Sequence, residues 1–513
     1  MKAVAAALAV TAILGIGWWQ YRAMRAHAVV NAPTIAWHHD DVADAFAEAR
    51  ESGKPVLLYW GAKWCPPCAR LKVTAFKDPA FVAETRNFVP VYLDGDSKGA
   101  QAWGQRFGIM GYPTVIILRP DGAEITRLSS GIEPAKLSDV LRLTAGRTMS
   151  AEALLRQADT DPRALSSQDW QLLAGFDWQD DPRHFGDAAK TAALLTTLAA
   201  AAPDPALGRR LALLAVTEAL DTSGDKPTLP AAQQKQAEAV LPVVLASYAE
   251  VRLNHLDLSE AGASMIEALP DAATRDGLHD QLLAAMDRVY ADTTLPMVDR
   301  VLAAQPAVDF AKATPGGRVP DDVLAKVRER AAWADRTAHS PMERQSVIDD
   351  AAVLLADAGD RKGGEAMLQA ELSRSATPFY YMSDLSDLAE KDKDIPSALA
   401  WARRAAAEAQ GPASRVQWAI LYAEAVVRLT PGDSAEIERS ADQVVDELAR
   451  NPDGYHERTQ KKLAAWDKKL RAWSDAHGGG AVLARVTDRM KKVCAAQTDA
   501  AAGSACAAAL TAA

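Results

Sequence analysis

The chain has 513 residues, of which 49% are hydrophobic and 24% are charged. This composition excludes a disordered protein, and the length predicts about three domains of roughly 150 residues each. The net charge is −10 and the chain has no basic cluster, which argues against nucleic acid as a partner because phosphate contacts need basic patches.

The chain opens with a mostly apolar stretch over residues 3–19 that has the character of an export signal. Its seventeen residues are at the lower limit for crossing a bilayer. Ala26-His27-Ala28 offers a small-residue cleavage site, but this site lies well past the apolar stretch. We therefore predict that residues 1–28 form an export signal, retained as a membrane anchor, that places the protein in the periplasm. Cleavage of this segment remains the alternative.

The most informative motif is Trp64-Cys65-Pro66-Pro67-Cys68. It follows a strand-length apolar run over residues 55–60 and precedes a segment with helical spacing of apolar residues, so it falls at a strand-to-helix turn. Unpaired N–H groups and the dipole of a helix N-terminus favour a thiolate at Cys65, and Cys68 is close enough to close a disulfide. We predict that Cys65 and Cys68 are the catalytic pair and form a redox-active disulfide.

The surrounding segments predict an α/β domain with a mixed sheet and helices on both faces. The predicted elements are a helix over Asp40–Glu51, strands over Phe88–Asp94, Pro113–Leu118 and Ala123–Leu128, a helix over Ser97–Phe107 and a last helix from Pro134 to near Gly146.

Residues 36–147 resemble the thioredoxin fold. The resemblance rests on the Trp-Cys-x-x-Cys motif, the segment Gly111-Tyr112-Pro113-Thr114 and the Asp-Gly hairpin at Asp121-Gly122. More narrowly, the domain resembles exported thiol:disulfide interchange domains, including the C-terminal domain of DsbD. The narrower signals are Trp37, Gly53-Lys54-Pro55-Val56, Phe76-x-Asp78-Pro79 and Leu93-Asp94. The resemblance implies a cis Pro113, with Trp64, Tyr112 and Pro113 positioning a substrate strand, and no cofactor.

Two positions depart from the thioredoxin pattern. The buried acid expected six residues before the first cysteine is Tyr59, and the lysine that usually partners it is Pro90. Either water or another carboxylate, such as Asp94 or Asp96, then moves the proton, or exchange is slow near neutral pH. Pro66 and Pro67 provide no backbone N–H for the Cys65 thiolate, which predicts a reductase or isomerase and not a strong oxidase.

The four cysteines form two pairs, Cys65/Cys68 and Cys494/Cys506. The second pair has the wrong spacing for half of a zinc site, so we predict no metal. Cys494 and Cys506 could form a structural disulfide in an oxidising compartment, or they could be two free thiols.

Beyond Thr148 the sequence predicts helices only: an α-helical region over residues 150–340, helical repeats over 341–477, and an Ala-rich tail with two cysteines over 478–513. Gly364 and Ala398 are 34 residues apart, as are Pro378 and Pro412, which is the tetratricopeptide period. The repeats are degenerate, so a helical bundle remains the alternative.

The leading functional hypothesis is an exported thiol:disulfide oxidoreductase that acts on protein thiols and disulfides, receives electrons from a membrane thiol reductase and binds partners through its helical region. The competing hypothesis is an envelope scaffold or peptide-binding protein whose thioredoxin-like domain is a weakly active docking module. A cytoplasmic, membrane-tethered protein is a third, less favoured reading.

Overall fold

The computed structural model describes residues 34–511, except 130, 131, 133, 180, 182, 183, 315, 452–454, 456 and 499. Its only sheet among these residues has five strands in the order β1-β3-β2-β4-β5. Strands β1, β2 and β3 run parallel to one another, β4 pairs antiparallel with β2, and β5 pairs antiparallel with β4. The strands are β1 His38–His39, β2 Val56–Gly61, β3 Val89–Asp94, β4 Thr114–Leu118 and β5 Glu124–Ser129.

Helices cover both faces of this sheet, as the sequence predicted. Side chains of β2 alternate between the faces, with Val56, Leu58 and Trp60 packing towards one set of helices and Leu57 and Tyr59 towards the other. The first face is covered by α1 (Val42–Ser52) and α4 (Ala100–Phe107). The second face is covered by α2 (Pro66–Val73), α3 (Pro79–Glu84) and α5 (Pro134–Thr144).

The predicted elements of this region are confirmed to within a few residues at their ends. The sequence missed β1, because a strand of two residues is too short to show any periodicity. This strand pairs with β3 through His38 opposite Val91.

The remainder of the described chain is helical, which confirms the second half of the predicted fold class. The helices are α6 Ala151–Thr160, α7 Ser167–Ala174, α8 Ala188–Ala201, α9 Pro205–Ala219, α10 Ala231–Ala246, α11 Tyr248–Leu253, α12 His255–Glu260, α13 Gly262–Glu267, α14 Ala272–Ala291, α15 Met297–Leu302, α16 Gln305–Ala313, α17 Asp321–Thr337, α18 Pro341–Gln345, α19 Ile348–Asp357, α20 Arg361–Glu371, α21 Pro378–Lys391, α22 Ile395–Glu408, α23 Pro412–Leu429, α24 Ser434–Arg450, α25 Glu457–His477, α26 Gly480–Ala495 and α27 Ala500–Thr511. Short 3-10 turns occur at Ala75–Lys77, Thr85–Asn87 and Pro162–Ala164.

The first of these helices continue the core of the sheet. Trp170, Phe176 and Trp178 are buried in one apolar cluster with Leu57 and Tyr59 of β2. The same cluster extends to side chains of α8 and α9. The sheet and α6 to α9 therefore share one hydrophobic core.

The helices from α19 to α24 pack as successive hairpins, α19 with α20, α21 with α22 and α23 with α24. Gly364 allows the close crossing in the first hairpin, because an added Cβ would lie 2.5 Å from the carbonyl oxygen of Ala352. In the next hairpin, 34 residues later, Ser386 Oγ donates to the carbonyl of the buried Ala398. The 34-residue period thus marks equivalent crossings of helix pairs.

The segment predicted as a tail forms α26 and α27, which a Cys494–Cys506 disulfide joins. Residues 1–28, predicted as a signal or anchor, lie outside the described residues. Within the described part of the chain, no helix combines the length and the apolar character needed to cross a bilayer.

Candidate redox site

Cys65 caps the N-terminus of α2. Its backbone is extended, and its Sγ accepts a hydrogen bond of 3.1 Å from the backbone N–H of Cys68. Pro66 and Pro67 occupy the first two helical positions, where a missing N–H costs no intrahelical hydrogen bond. The Cys68 amide is consequently the first N–H of the helix that can reach the sulfur.

The two thiols of this turn are joined as a Cys65–Cys68 disulfide, with Cα atoms 5.2 Å apart. The peptide bond between Tyr112 and Pro113 is cis, as the resemblance implied. The Tyr112 ring lies between two tryptophans, stacked on Trp60 at 5.8 Å and edge-on to Trp64 at 5.3 Å. Trp64 and Tyr112 are therefore neighbours beside the disulfide.

This arrangement of strand, disulfide, helix and cis proline coincides with a match to a known family. The family model described as a thioredoxin-like domain matches residues 42–145. Residues 42–145 form a thioredoxin-like domain. The match covers the sheet from α1 onwards and ends with α5, and the helical region lies beyond it.

Similar proteins include both specialised and general members of this family. The thiol:disulfide interchange protein DsbD 1 of Pseudomonas aeruginosa is 33% identical over 107 residues, which are 20% of this chain and 18% of that protein. A thioredoxin H-type of Oryza sativa subsp. indica is 26% identical over 121 residues, 23% of this chain and 93% of that protein. The solution structure of a thioredoxin from Thermus thermophilus is 26% identical, with a TM-score of 0.20, over 21% of this chain and 86% of that one.

Tyr59 replaces the usual acid beneath the dithiol of the thioredoxin-like domain. It is fully buried, and among the described residues its hydroxyl has no hydrogen-bond partner. Its ring lies 5.2 Å from Tyr92 and 4.9 Å from Phe76. Burial raises the pKa of Tyr59 well above its usual value, so this hydroxyl stays protonated near neutral pH and cannot act as a base.

Asp96 is the carboxylate that contacts the active-site motif. Its Oδ2 accepts a hydrogen bond of 3.0 Å from Trp64 Nε1, and its backbone N–H donates to Asp94 Oδ1. Burial raises the pKa of Asp96, although the donors Ser414 and Trp64 oppose that shift. Asp96 thus orients Trp64, and it is one of the two carboxylates predicted as alternatives to water for moving the proton.

Both sulfurs of the dithiol are buried by helices far along the chain. Cys65 is 2% exposed, Cys68 is 0% exposed and Trp64 is 9% exposed. They belong to an apolar cluster that includes Phe379, Met382 and Val416. The motif predicted the disulfide turn, but nothing in the local sequence indicated that α21 and α23 would lie over it.

Tyr380 and Ser414 of these covering helices contact Trp64 and Asp96. The Tyr380 ring stacks on Trp64 at 6.2 Å, and Ser414 donates from its N–H and its Oγ to Asp96. Tyr112 also packs against the same apolar cluster, and Pro113 is buried. The residues predicted to position a substrate are thus brought together, with the chain's own helices over them.

A second group of ionisable residues lies at β5. Ligand atoms of Glu124, Asp181 and His184 lie within 4.8 Å of one another. Arg127 pairs with Glu124 at 2.6 Å and lies 3.7 Å from Asp181. His184 forms a hydrogen bond with Asp181, and this bond raises the pKa of His184. This group therefore forms a cluster of ion pairs around a buried guanidinium.

Proposed function

We propose that this protein is an exported thiol:disulfide oxidoreductase that acts on protein disulfides in the periplasm. The observation that carries the proposal is the Cys65–Cys68 pair, which starts α2 beside the cis Pro113 of a thioredoxin-like domain. The printed name of the Pseudomonas relative, a thiol:disulfide interchange protein, supports the same chemistry.

In the reducing direction, the Cys65 thiolate attacks one sulfur of a substrate disulfide and forms a mixed disulfide. The other substrate sulfur leaves as a thiolate and takes a proton. The Cys68 thiolate then attacks Cys65 Sγ, which closes the Cys65–Cys68 disulfide and releases the second substrate thiol. Two electrons pass to the substrate, and a membrane thiol reductase would return them. Trp64, Tyr112 and Pro113 would position the substrate strand.

The hydrogen bonds at Cys65 favour a reductase or isomerase over a strong oxidase. Strong oxidants stabilise their reduced form, and the Cys65 sulfur receives one helical N–H, from Cys68, because the two preceding helical residues are prolines. We expect the Cys65–Cys68 pair, equilibrated in glutathione buffers, to have a reduction potential well below the ~−120 mV of a strong oxidant.

Trapping the substrate tests the proposed activity. Cys68→Ser removes the resolving sulfur, so a mixed disulfide between Cys65 and its partner protein should accumulate and disappear on reduction. The matched control is Cys65→Ser, which keeps Cys68 and should trap nothing. An equal yield of adducts from both variants would contradict the assignment of Cys65 as the attacking sulfur.

Export and membrane attachment belong to the same proposal. The Cys494–Cys506 disulfide supports an oxidising compartment, and the apolar residues 3–19 support export. In cells, Cys494 and Cys506 should resist alkylation until a reductant is added, and the protein should fractionate with the membrane. Free thiols at both positions in untreated cells would argue against the periplasm.

One observation favours a second candidate, an envelope scaffold or peptide-binding protein with a weakly active docking domain. The buried sulfurs are enclosed by the helical region, which makes up most of the chain and would bind the partner. Insulin reduction and refolding of scrambled ribonuclease distinguish the candidates. The oxidoreductase predicts activity that Cys65→Ser abolishes, whereas the scaffold predicts none in either protein.

A further inference from the structure

The Cys65–Cys68 disulfide lies beneath a layer that we define as the cover: α18, α21, α23 and α25. α18 packs against α2, and α25 packs against α4. Thiol exchange requires an attacking sulfur to reach a disulfide sulfur. With Cys65 2% exposed and Cys68 0% exposed, a thiolate on a folded partner cannot reach either sulfur in this arrangement.

The apolar contact between the cover and the dithiol uses few side chains of the thioredoxin-like domain. In the apolar cluster around the dithiol, the thioredoxin-like domain contributes few side chains: Ala62, Trp64, Cys65, Cys68 and Tyr112. Away from the dithiol, one larger shared cluster runs from the sheet through α5 to α9. A buried ion pair of 2.6 Å between Arg70 and Asp299 also joins α2 to α15, outside the cover. Small, locally supported contacts open at lower free energy than an extended core.

The polar contacts between the cover and the thioredoxin-like domain include those of Ser414, Gln345 and Lys461. Ser414, in the first turn of α23, donates to Asp96 from its N–H at 2.9 Å and from its Oγ at 2.9 and 2.8 Å to the two carboxylate oxygens. Gln345 of α18 donates to the carbonyl of Lys63 at 3.1 Å. Lys461 Nζ of α25 lies 3.2 Å from Met110 Sδ.

The contact at Asp96 is the one that reaches the motif itself. The carboxylate that accepts from Ser414 also accepts from Trp64 Nε1, next to Cys65. The approach is so close that a Cβ added at Gly411, which has a φ of 85°, would collide with that carboxylate. Ser414, Asp96 and Trp64 therefore form one continuous link from the cover to the active-site turn.

We propose that the cover is an intramolecular lid that must leave the dithiol before a protein substrate can react, and that the Ser414–Asp96 contact holds it closed. This inference rests on the proposed oxidoreductase function. A lid explains why the Cys65–Cys68 pair has the local geometry needed for thiol exchange and is nevertheless buried. Exchange would then depend on how often the lid opens.

Ser414→Asp is the sharpest variant, because it places a second carboxylate against Asp96 in a partly buried contact. Ser434→Asp is the matched control: it adds the same charge in the first turn of α24, where Ser434 is exposed. Ser414→Ala is the milder variant, since it removes the hydroxyl and keeps the backbone donor. Circular dichroism and thermal unfolding verify that all three variants fold.

The measurement is the rate at which dithiothreitol reduces Cys65–Cys68 in the full chain, followed by alkylation and peptide mass spectrometry that separate this pair from Cys494–Cys506. We expect Ser414→Asp to react about tenfold faster or more than the wild type, because the rate follows the open population. Ser414→Ala should react about threefold faster, for the same reason. Ser434→Asp should match the wild type. If Ser414→Asp does not fold, Ser414→Ala decides the outcome.

Equal reduction rates for wild type, Ser414→Ala and Ser414→Asp would overturn the lid. A wild-type rate equal to that of the guanidinium-unfolded chain would also overturn it, since the dithiol would then be accessible without opening. Insulin reduction reports separately on the proposed function. Faster reduction of Cys65–Cys68 by dithiothreitol with no insulin turnover in any variant would support the lid and count against the oxidoreductase.

Discussion

Tyr59 shows how a single residue separates this domain from the usual thioredoxin pattern. Its fully buried hydroxyl lies among Tyr92 and Phe76 and, in the described part of the chain, has no hydrogen-bond partner. A buried polar group without a partner costs free energy, and a hydroxyl with so high a pKa supplies no base. Tyr59 therefore contributes to packing, through its ring contacts in the aromatic core beside the sheet.

Tyr59→Phe tests this interpretation. We expect the rate of thiol exchange to change less than twofold and the free energy of unfolding to stay equal or rise by up to ~1 kcal/mol, because the variant removes an unpaired hydroxyl. Insulin turnover and urea unfolding measure the two quantities. A large loss of turnover with unchanged stability would show that the hydroxyl takes part in proton transfer.

A single buried carboxyl group, that of Asp350, makes the free energy of unfolding depend on pH. Burial, and then the charge of Asp349, raise the pKa of Asp350 to about 7, although Arg70 opposes the shift. An unfolded aspartate titrates near ~3.9. The folded chain therefore keeps a proton that the unfolded chain releases, and stability is lost as pH rises from about 4 to about 7, by at most ~1.4 kcal/mol per pH unit.

Asp350→Asn should remove this contribution. We expect the variant to match the wild type near pH 4 and to exceed its free energy of unfolding at pH 7.5, as measured by urea unfolding across that range. Asp349 and Asp384, whose pKa values burial also raises, leave part of the slope in place. Asp475→Asn, at an exposed position, is the control and should keep the whole wild-type slope.

At the scale of elements, the hairpins from α19 to α24 depend on small residues where helices cross. Gly364 lies against the backbone of α19, where an added Cβ would meet the Ala352 carbonyl oxygen at 2.5 Å and the Ala356 Cβ at 3.0 Å. The backbone of a packed helix cannot move aside without loss of other contacts. Glycine at this position is therefore required by the approach of α19 and α20.

A pair of glycine substitutions tests that requirement. Gly364→Ala should lower the free energy of unfolding by ~1–3 kcal/mol through overpacking. Gly277→Ala, in the exposed middle of α14 with no atom within 4 Å of the added Cβ, should raise it by up to ~1 kcal/mol through helix propensity. Thermal unfolding of both variants gives the comparison. Stabilisation by Gly364→Ala would contradict the close crossing.

At the scale of the whole molecule, the thioredoxin-like domain and the first helices of the helical region share their core. Leu57 of β2 and Leu198 of α8 are both buried in one cluster that also holds Trp170 and Trp178. Such a continuous core couples the unfolding of its parts. The sheet and α6 to α9 should therefore unfold together, whereas the lid over the dithiol opens separately.

Leu198→Ala measures this coupling. The substitution should cost ~2–5 kcal/mol and speed hydrogen exchange at β2, which is distant in sequence, as well as in α8. Leu421→Ala, at a side chain that is 41% exposed, is the control and should change stability by less than ~0.5 kcal/mol. Unchanged exchange at β2 alongside faster exchange in α8 would show two independent units.

The local pattern of residues accounts for what could be predicted about the fold and the site. An apolar run, two cysteines three apart and two prolines in the first helical turn define a strand, a disulfide turn and a helix without help from the rest of the chain. The 34-residue spacing similarly marked the helix crossings at Gly364 and Ala398. The observed ends of the strands differ by about one residue from the predicted ends, because backbone hydrogen bonding sets them and hydrophobic periodicity does not.

Only the tertiary structure decided whether the dithiol faces solvent. Asp96 and Ser414 are 318 residues apart, and no sequence motif around either residue predicts contact with the other. Burial of Cys65 by α21 and α23 depends on how the helical hairpins pack against one another and against the thioredoxin-like domain. This packing is the sum of many individually weak contacts. The sequence by itself determined the chemistry of the turn, because that chemistry is local. Access to the turn is set by contacts between distant segments, and these exist only in the folded chain.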